Sequence, residues 1–313
     1  MIRFVLFLTV LLCTSACYLL HARDREAPEL SAGIHAETLQ VREQGRTYLL
    51  YLPKQRRPRA PLLVLLHGSK QTGEDLRRAT GYAFDRLADQ HGFVAVYPDG
   101  FERRWNDCRA AGRNPARKQG IDDVGFLLAL TDRLATEADI DPGRVFLAGY
   151  SNGAQLAFRM ALERPERVAG IATFSANLPT EDNFACQVSG KAVPALLING
   201  TDDRINPFHG GEVTVFGFAT RGTVRSAEAS AAYFAGLAAL PGPELSRLGE
   251  TRDTWVEQRR WYRPGAPEVV LMAVHGGGHV VPGPAAAFPR ILGKVTTVID
   301  GPAEVWNFFA RQP

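Results

Sequence analysis

An α/β fold, with a single mainly parallel sheet and helices on both faces, is what this 313-residue sequence predicts. Two observations predict it. Uninterrupted apolar runs of strand length recur along the chain, as at Pro61–Leu66, Phe93–Tyr97 and Val269–Ala273. Strands read this way when both of their faces are buried. Segments with apolar residues at helical spacing alternate with these runs. That alternation gives parallel strands whose right-handed crossovers bring the strand ends and their loops to one edge. No internal repeat or low-complexity segment interrupts the pattern beyond the N-terminus, so one domain is expected.

The elements follow in order. Glu37–Val41 and Tyr48–Leu52 flank a polar turn with Gly45 and read as an antiparallel hairpin at a sheet edge. After the Pro61–Leu66 strand, a helix carries Leu76, Phe84 and Leu87. Phe93–Tyr97 closes on Pro98-Asp-Gly100, and a long loop reaches Ile121. Val124, Phe126, Leu127 and Leu130 begin the next helix. Val145–Ala148 is a short buried strand, and Gln155–Leu162 resumes at helical spacing. Strands follow at Gly170–Phe174 and Ala195–Ile198. Ser226 N-caps an alanine-rich helix, Val269–Ala273 is the last strand, and Asp300 caps a final helix carrying Val305, Phe308 and Phe309.

The formal net charge of +3 is too small to imply a nucleic-acid partner, and the basic stretch Lys54–Arg59 reads as a solvated loop between strands. The N-terminus is more specific. Arg3 precedes the apolar run Phe4–Leu12, with small residues Thr14, Ser15 and Ala16 after it, which is the layout of an export signal. Cys17 follows Ser15-Ala16 as in a lipoprotein acylation box, although Thr14 stands where leucine is usual. The apolar stretch to Leu20 is also about the shortest able to span a bilayer. Residues 1–21 are therefore expected to be an export signal or a lipid or membrane anchor, 22–34 an exposed linker, and 35–313 the catalytic domain. In that domain only Cys108 and Cys186 remain. In an exported protein two cysteines predict a disulfide, with two buried thiols as the other reading.

The chemistry starts at Ser151. It stands between Gly149 and Gly153, after a strand and before a helix, where small flanking residues let a sharp elbow close. A serine hydroxyl needs a base within hydrogen-bond reach, and the base needs an orienting acid. The strand Ala195–Ile198 runs into Asn199-Gly-Thr-Asp-Asp203, where Asp202 and Asp203 both qualify as the acid. The strand Val269–Ala273 runs into a loop in which three glycines precede His279. His275 and His279 have a zinc-like spacing, but three glycines between them make the required helix improbable, and no third ligand is nearby. An oxyanion would need backbone N–H groups: Asn152 follows the nucleophile, and Gly68 permits the Ser69 amide to turn inward. Gly68 and Gly73 also have the spacing of a phosphate loop, yet Glu74-Asp75 occupy the places of its lysine and hydroxyl residue.

Taken together, LLHGSKQTG, GFVAVYPDG, WNDC, DDVGFLLAL, GYSNGA, NGTDD and GGGHVVPG resemble the α/β-hydrolase superfamily, and more narrowly its polyhydroxybutyrate depolymerase/feruloyl esterase family of exported esterases. The resemblance runs from about Thr47 to Phe309. It implies the α/β-hydrolase fold, with Ser151 as nucleophile, His279 as base and Asp203 as the acid, Asn199 standing where histidine is usual. It also implies that Trp105 forms a substrate wall and that Cys108 and Cys186 match family cysteines. One departure is visible: Val280-Val281 replace the Thr-Trp that often follows the base, which removes a stacking platform and makes a sugar or feruloyl substrate less expected. The implied protein is an exported serine esterase that needs no cofactor or metal. It would act on small or polymeric esters, such as polyhydroxyalkanoate, feruloyl or acetyl esters, and would touch a membrane only through its N-terminus. An acyltransferase with the same three residues and a non-catalytic ligand-binding protein are the alternatives.

Overall fold

The computed structural model describes residues 26–312, so Cys17 and the expected N-terminal signal or anchor lie outside the described residues. A ten-stranded sheet runs in the order β1 (Ile34–Val41), β2 (Gln44–Tyr51), β4 (Val94–Pro98), β3 (Ala60–Leu66), β5 (Ile140–Tyr150), β6 (Gly170–Phe174), β7 (Ala195–Gly200), β12 (Val269–His275), β11 (Trp255–Trp261) and β10 (Glu244–Glu250). The six central strands from β4 to β12 are parallel, and antiparallel hairpin partners extend both edges. β8 (Gly211–Glu212) and β9 (Thr223–Val224) form a separate small ribbon.

Period-two alternation divides the core between the two faces of the sheet. On β5, Val145 and Leu147 join one apolar cluster while Phe146, Ala148 and Tyr150 join the other. The first cluster is closed by α4 (Asp123–Glu137), α5 (Asn152–Glu163) and α6 (Ala227–Leu237). The second is closed by α1 (Gly73–Ala79), α2 (Ala83–His91) and α7 (Gly301–Ala310). The short α3 (Pro115–Lys118) lies on the loop before α4. Ser226 caps α6 by accepting the Ala229 N–H at 3.0 Å, as expected.

Four expectations are corrected. The single helix after β3 is two helices, because Gly81 and Tyr82 both adopt positive φ. A Cβ on Gly81 would lie 2.3 Å from the Ala285 carbonyl oxygen, so the break is also a point of close packing. The first hairpin turns at Arg42-Glu43, and Gly45 pairs with Gln40 inside the ladder. The end of the expected linker is tied down: Leu30 and Ala32 pack on the second cluster, and the Ser31 N–H donates to Asp89 at 2.9 Å. Finally, β10 and β11 extend the far edge where no strand was anticipated.

Candidate active site

The parallel arrangement brings the loops after β3, β4, β5, β7 and β12 to one sheet edge. The loop after β5 is the most constrained. A Cβ on Gly149 would meet the Ala154 N at 2.5 Å, and one on Gly153 would meet the Leu66 carbonyl oxygen at 2.2 Å. Only glycine fits at either place, so α5 can press against the end of β3. Ser151 between them takes φ 53° and ψ −112°. Such a conformation costs a non-glycine residue about 1–3 kcal/mol, and the packing on both sides holds it there.

His279 Nε2 is 3.0 Å from Ser151 Oγ, and His279 Nδ1 is 2.7 Å from Asp203 Oδ2. Asp203 Oδ1 accepts the N–H groups of Ile205 and Asn206 at 2.8 and 2.9 Å, which fixes its carboxylate beside the imidazole. Asp203 and His279 are both buried, whereas Asp202 is exposed and its carboxylate accepts from Thr201. Of the two aspartates, Asp203 is the one that lies against His279. His279 itself is held through its backbone: its N–H donates to the Leu292 carbonyl at 2.7 Å and its carbonyl accepts the Tyr150 hydroxyl at 2.8 Å. Burial, and then the Asp203 charge, push the Tyr150 pKa well up, so the phenol stays a donor. His275 turns to other work and stacks flat on Trp255, with ring centroids 3.6 Å apart.

Ser69 and Asn152 lie side by side, Ser69 Oγ donating to Asn152 Oδ1 at 3.4 Å. Among the described residues no loop or turn bond uses the backbone N–H of either one. Gly68 serves differently from expectation. Its φ is not positive; a Cβ there would strike the Tyr150 ring at 2.8 Å, so it provides clearance. The turn is locked by His67, whose Nε2 accepts the Gly100 N–H at 2.9 Å while Nδ1 donates to the Gly68 carbonyl at 2.7 Å. Burial pulls the His67 pKa down to about 4, which keeps that neutral tautomer.

Trp105 is not a substrate wall. It is wholly buried, its indole N–H donates to the His67 carbonyl at 2.9 Å, and its own N–H is accepted by Asn152 Oδ1 at 2.9 Å. The whole WNDC stretch is a brace. The Asn106 N–H reaches Asp123 at 2.7 Å, Asp107 takes the Asn152 amide at 2.6 Å, and Cys108 is bridged to Cys186 with Cα atoms 4.9 Å apart. The valines after His279 need a correction too. Val280 and Val281 are buried in the second cluster, so these positions face the core and the missing aromatic removes no platform from this cavity.

A cavity of about 600 Å³ opens over Ser151. Its apolar side comes from Ile205, Val213, Val215, Phe216 and Phe218, most of them on a tongue between β8 and β9. Its polar side comes from Ser69, Gln71, Lys70 and three arginines, Arg104, Arg109 and Arg221. Sequence reasoning missed these arginines. Two of them flank Trp105 and Cys108, but Arg221 is remote in the chain and carries no local signal.

Residues 46–193 match the family model described as esterase PHB depolymerase. The NocK protein of Nocardia uniformis subsp. tsuyamanensis, which bears the name of an esterase, is 29% identical over 290 residues, 85% of this chain and 79% of that protein. The poly(3-hydroxybutyrate) depolymerase of Ralstonia pickettii is 35% identical over 118 residues, 35% of this chain and 24% of that protein. Among solved structures, the acetyl xylan esterase from Aspergillus awamori superposes with a TM-score of 0.61 at 15% identity, over 81% of this chain and 96% of that one, and so shares the fold. Residues 46–193, which hold the Ser69 loop, the WNDC brace and the Ser151 elbow, are thus similar to the PHB-depolymerase esterase family, and the chain is a carboxylesterase-type hydrolase of α/β-hydrolase fold.

Proposed function

We propose that this protein is an exported serine carboxylic-ester hydrolase working through Ser151, His279 and Asp203. The observation that carries the reading is the hydrogen-bonded chain of 3.0 Å and 2.7 Å linking these three side chains at a strained elbow. Ser151 Oγ attacks the ester carbonyl carbon as His279 Nε2 takes its proton. Asp203 accepts from Nδ1–H, which sets the tautomer and stabilises the imidazolium that forms. The Ser69 and Asn152 amides receive the oxyanion; one such donor is typically worth about a hundred- to a thousandfold in turnover. The C–O bond then breaks, His279 protonates the departing alkoxide, and water assisted by the same imidazole frees the acid from the Ser151 ester.

Export is supported by the Arg3 to Ala16 pattern and by the Cys108–Cys186 bridge, since disulfides persist in oxidising compartments. Acetyl, feruloyl and hydroxyalkanoate esters are the first candidates, on the names of relatives. The test is release of p-nitrophenol from acetate and butyrate esters by the wild type beside Ser151→Ala. Turnover that disappears in the alanine variant supports the reading. A folded wild type no faster than the variant on these esters and on a polymer panel overturns it.

A further inference from the structure

We propose that the cavity selects esters carrying a carboxylate on either the acyl or the alcohol part, and that Arg104 and Arg221 hold this anion while the tongue covers the apolar remainder. The inference rests on the hydrolase reading above. It begins with a charge imbalance: the lining includes Lys70, Arg104, Arg109 and Arg221 and no acidic side chain. Arg109 is already neutralised, paired with buried Asp107 at 2.5 Å. Asp107 is fully occupied, because it also accepts the Asn152 amide at 2.6 Å.

Arg104 and Arg221 have no such partner among the described residues. One terminal nitrogen of Arg104, Nη1, is cut off from solvent and makes no hydrogen bond. Glu102 favours the Arg104 charge, but Arg103 opposes it more strongly. Burial depresses both pKa values, and Arg221 is further opposed by Arg109 and Arg104. A buried donor without an acceptor is costly, and clustered like charges more so. A carboxylate in the cavity would offset this clustered charge, and a planar guanidinium matches it in two-pronged geometry.

The two arginines are also held in register. The Asn183 amide donates to the Arg221 carbonyl at 3.1 Å, while the Asn183 carbonyl and side-chain oxygen accept the N–H groups of Ala110 and Ala111 at 2.7 and 2.9 Å. The segment bearing Arg221, just before β9, is thus tied to the loop bearing Arg109, and the Trp105 brace and the Cys108 bridge fix that loop at its base. This is a preorganised site, on which an anion needs to order little.

The test compares kcat/KM within matched pairs at low ionic strength. p-Nitrophenyl hemiglutarate against p-nitrophenyl valerate probes an acyl-side carboxylate. 4-Acetoxybenzoate against 4-acetoxybenzamide probes one on the alcohol side. The charged member of at least one pair is expected to lead by about ten- to a hundredfold. The lead shrinks in 0.5 M NaCl and collapses in Arg104→Gln/Arg221→Gln, with Arg221→Lys intermediate. Should the double variant not fold, Arg221→Gln alone carries the comparison. Neutral esters preferred in both pairs, by a wild type whose activity Ser151→Ala abolishes, would overturn the anion inference and leave the hydrolase standing. If no ester turns over, calorimetry with glutarate and 4-hydroxybenzoate decides: binding weakened at least about tenfold in Arg221→Gln supports the anion site without the hydrolase, and no binding overturns it.

Discussion

The two walls of the cavity are built in opposite ways. On the elbow side, Gly149 and Gly153 leave no room for a methyl group, Ser151 is held in a strained conformation, and His279 and Asp203 are buried with their hydrogen bonds filled. On the tongue side, Val215, Phe216 and Phe218 are among the largest exposed apolar residues, and Phe218 is 78% exposed. The tongue turns on Phe216 and Gly217, both at positive φ, and the Val215 and Phe218 backbones exchange two hydrogen bonds. Reacting groups need positions fixed within a fraction of an ångström, because rate falls steeply with misplacement. A wall that only covers part of a substrate can give way. The difference teaches that the proposed reacting groups and the cover over them sit on separate structures with separate tolerances.

The largest effect should come from the elbow side. Ser151→Ala removes the proposed nucleophile and is expected to lower kcat by about 10⁴-fold or more. Residual turnover within tenfold of wild type would break the comparison at once. The acid comes next. Asp203→Asn loses the charge that stabilises the imidazolium in the proposed mechanism and should cost about a thousandfold or more in kcat/KM, while Asp202→Asn stays within about threefold. A larger loss at Asp202 would mean that the loop after β7 rearranges in solution.

Two further tests read stability. Gly153→Ala drives a methyl group to 2.2 Å from the Leu66 carbonyl oxygen, so the strand and helix must part. We expect a loss of about 3 kcal/mol or more in urea unfolding; an unchanged midpoint would show slack in the elbow. His67 gives a pH signature. Its ordinary pKa of 6.5 falls to about 4 in the fold. As pH drops through 6.5 the unfolded chain takes up a proton that the folded protein refuses until about 4. Its contribution is therefore complete above 6.5 and fades between 6.5 and 4, by about 3 kcal/mol. His67→Gln cannot titrate and should show a correspondingly flatter pH dependence across that window. Parallel curves for the two proteins would sink the assignment.

What was legible in the sequence divides along the same line. The buried central strands were visible because apolar runs between glycines and prolines report burial on both faces. β10 and β11 were not: Glu244–Glu250 is almost entirely exposed, and Trp255–Trp261 carries Glu257, Arg259 and Arg260. Such strands are held by backbone ladders and ion pairs such as Arg260 with Glu268, which leave no apolar period to read. In the site, Ser151 and His279 stood out because glycines and strand ends mark them. Asp203 could not be told from Asp202 by residue type, since the N–H groups of Ile205 and Asn206 make the choice. Trp105 misled, because an aromatic residue on a long loop looks the same whether it lines a cavity or locks the loop. Arg104 and Arg221 meet only through the fold.

The smallest expected effect is the sharpest test of the tongue. Phe218 lines the cavity yet remains mostly exposed, so its ring contributes little to the folded state. Phe218→Ala should change stability by no more than about 0.5 kcal/mol, a shift in Tm of about 2 °C or less. Its effect should fall on binding: partial burial of a phenyl ring by a long-chain or aromatic ester is worth about 1 kcal/mol, or about fivefold in KM. Acetate, too short to reach the ring, should feel less of it. A parallel loss on acetate and butyrate would place Phe218 against the reacting carbonyl, and a fall of many degrees in Tm would make the tongue as rigid as the elbow. Either result would erase the division of labour between the two walls, whereas a selective rise in KM with an unmoved Tm is what a compliant cover over a fixed reaction centre requires.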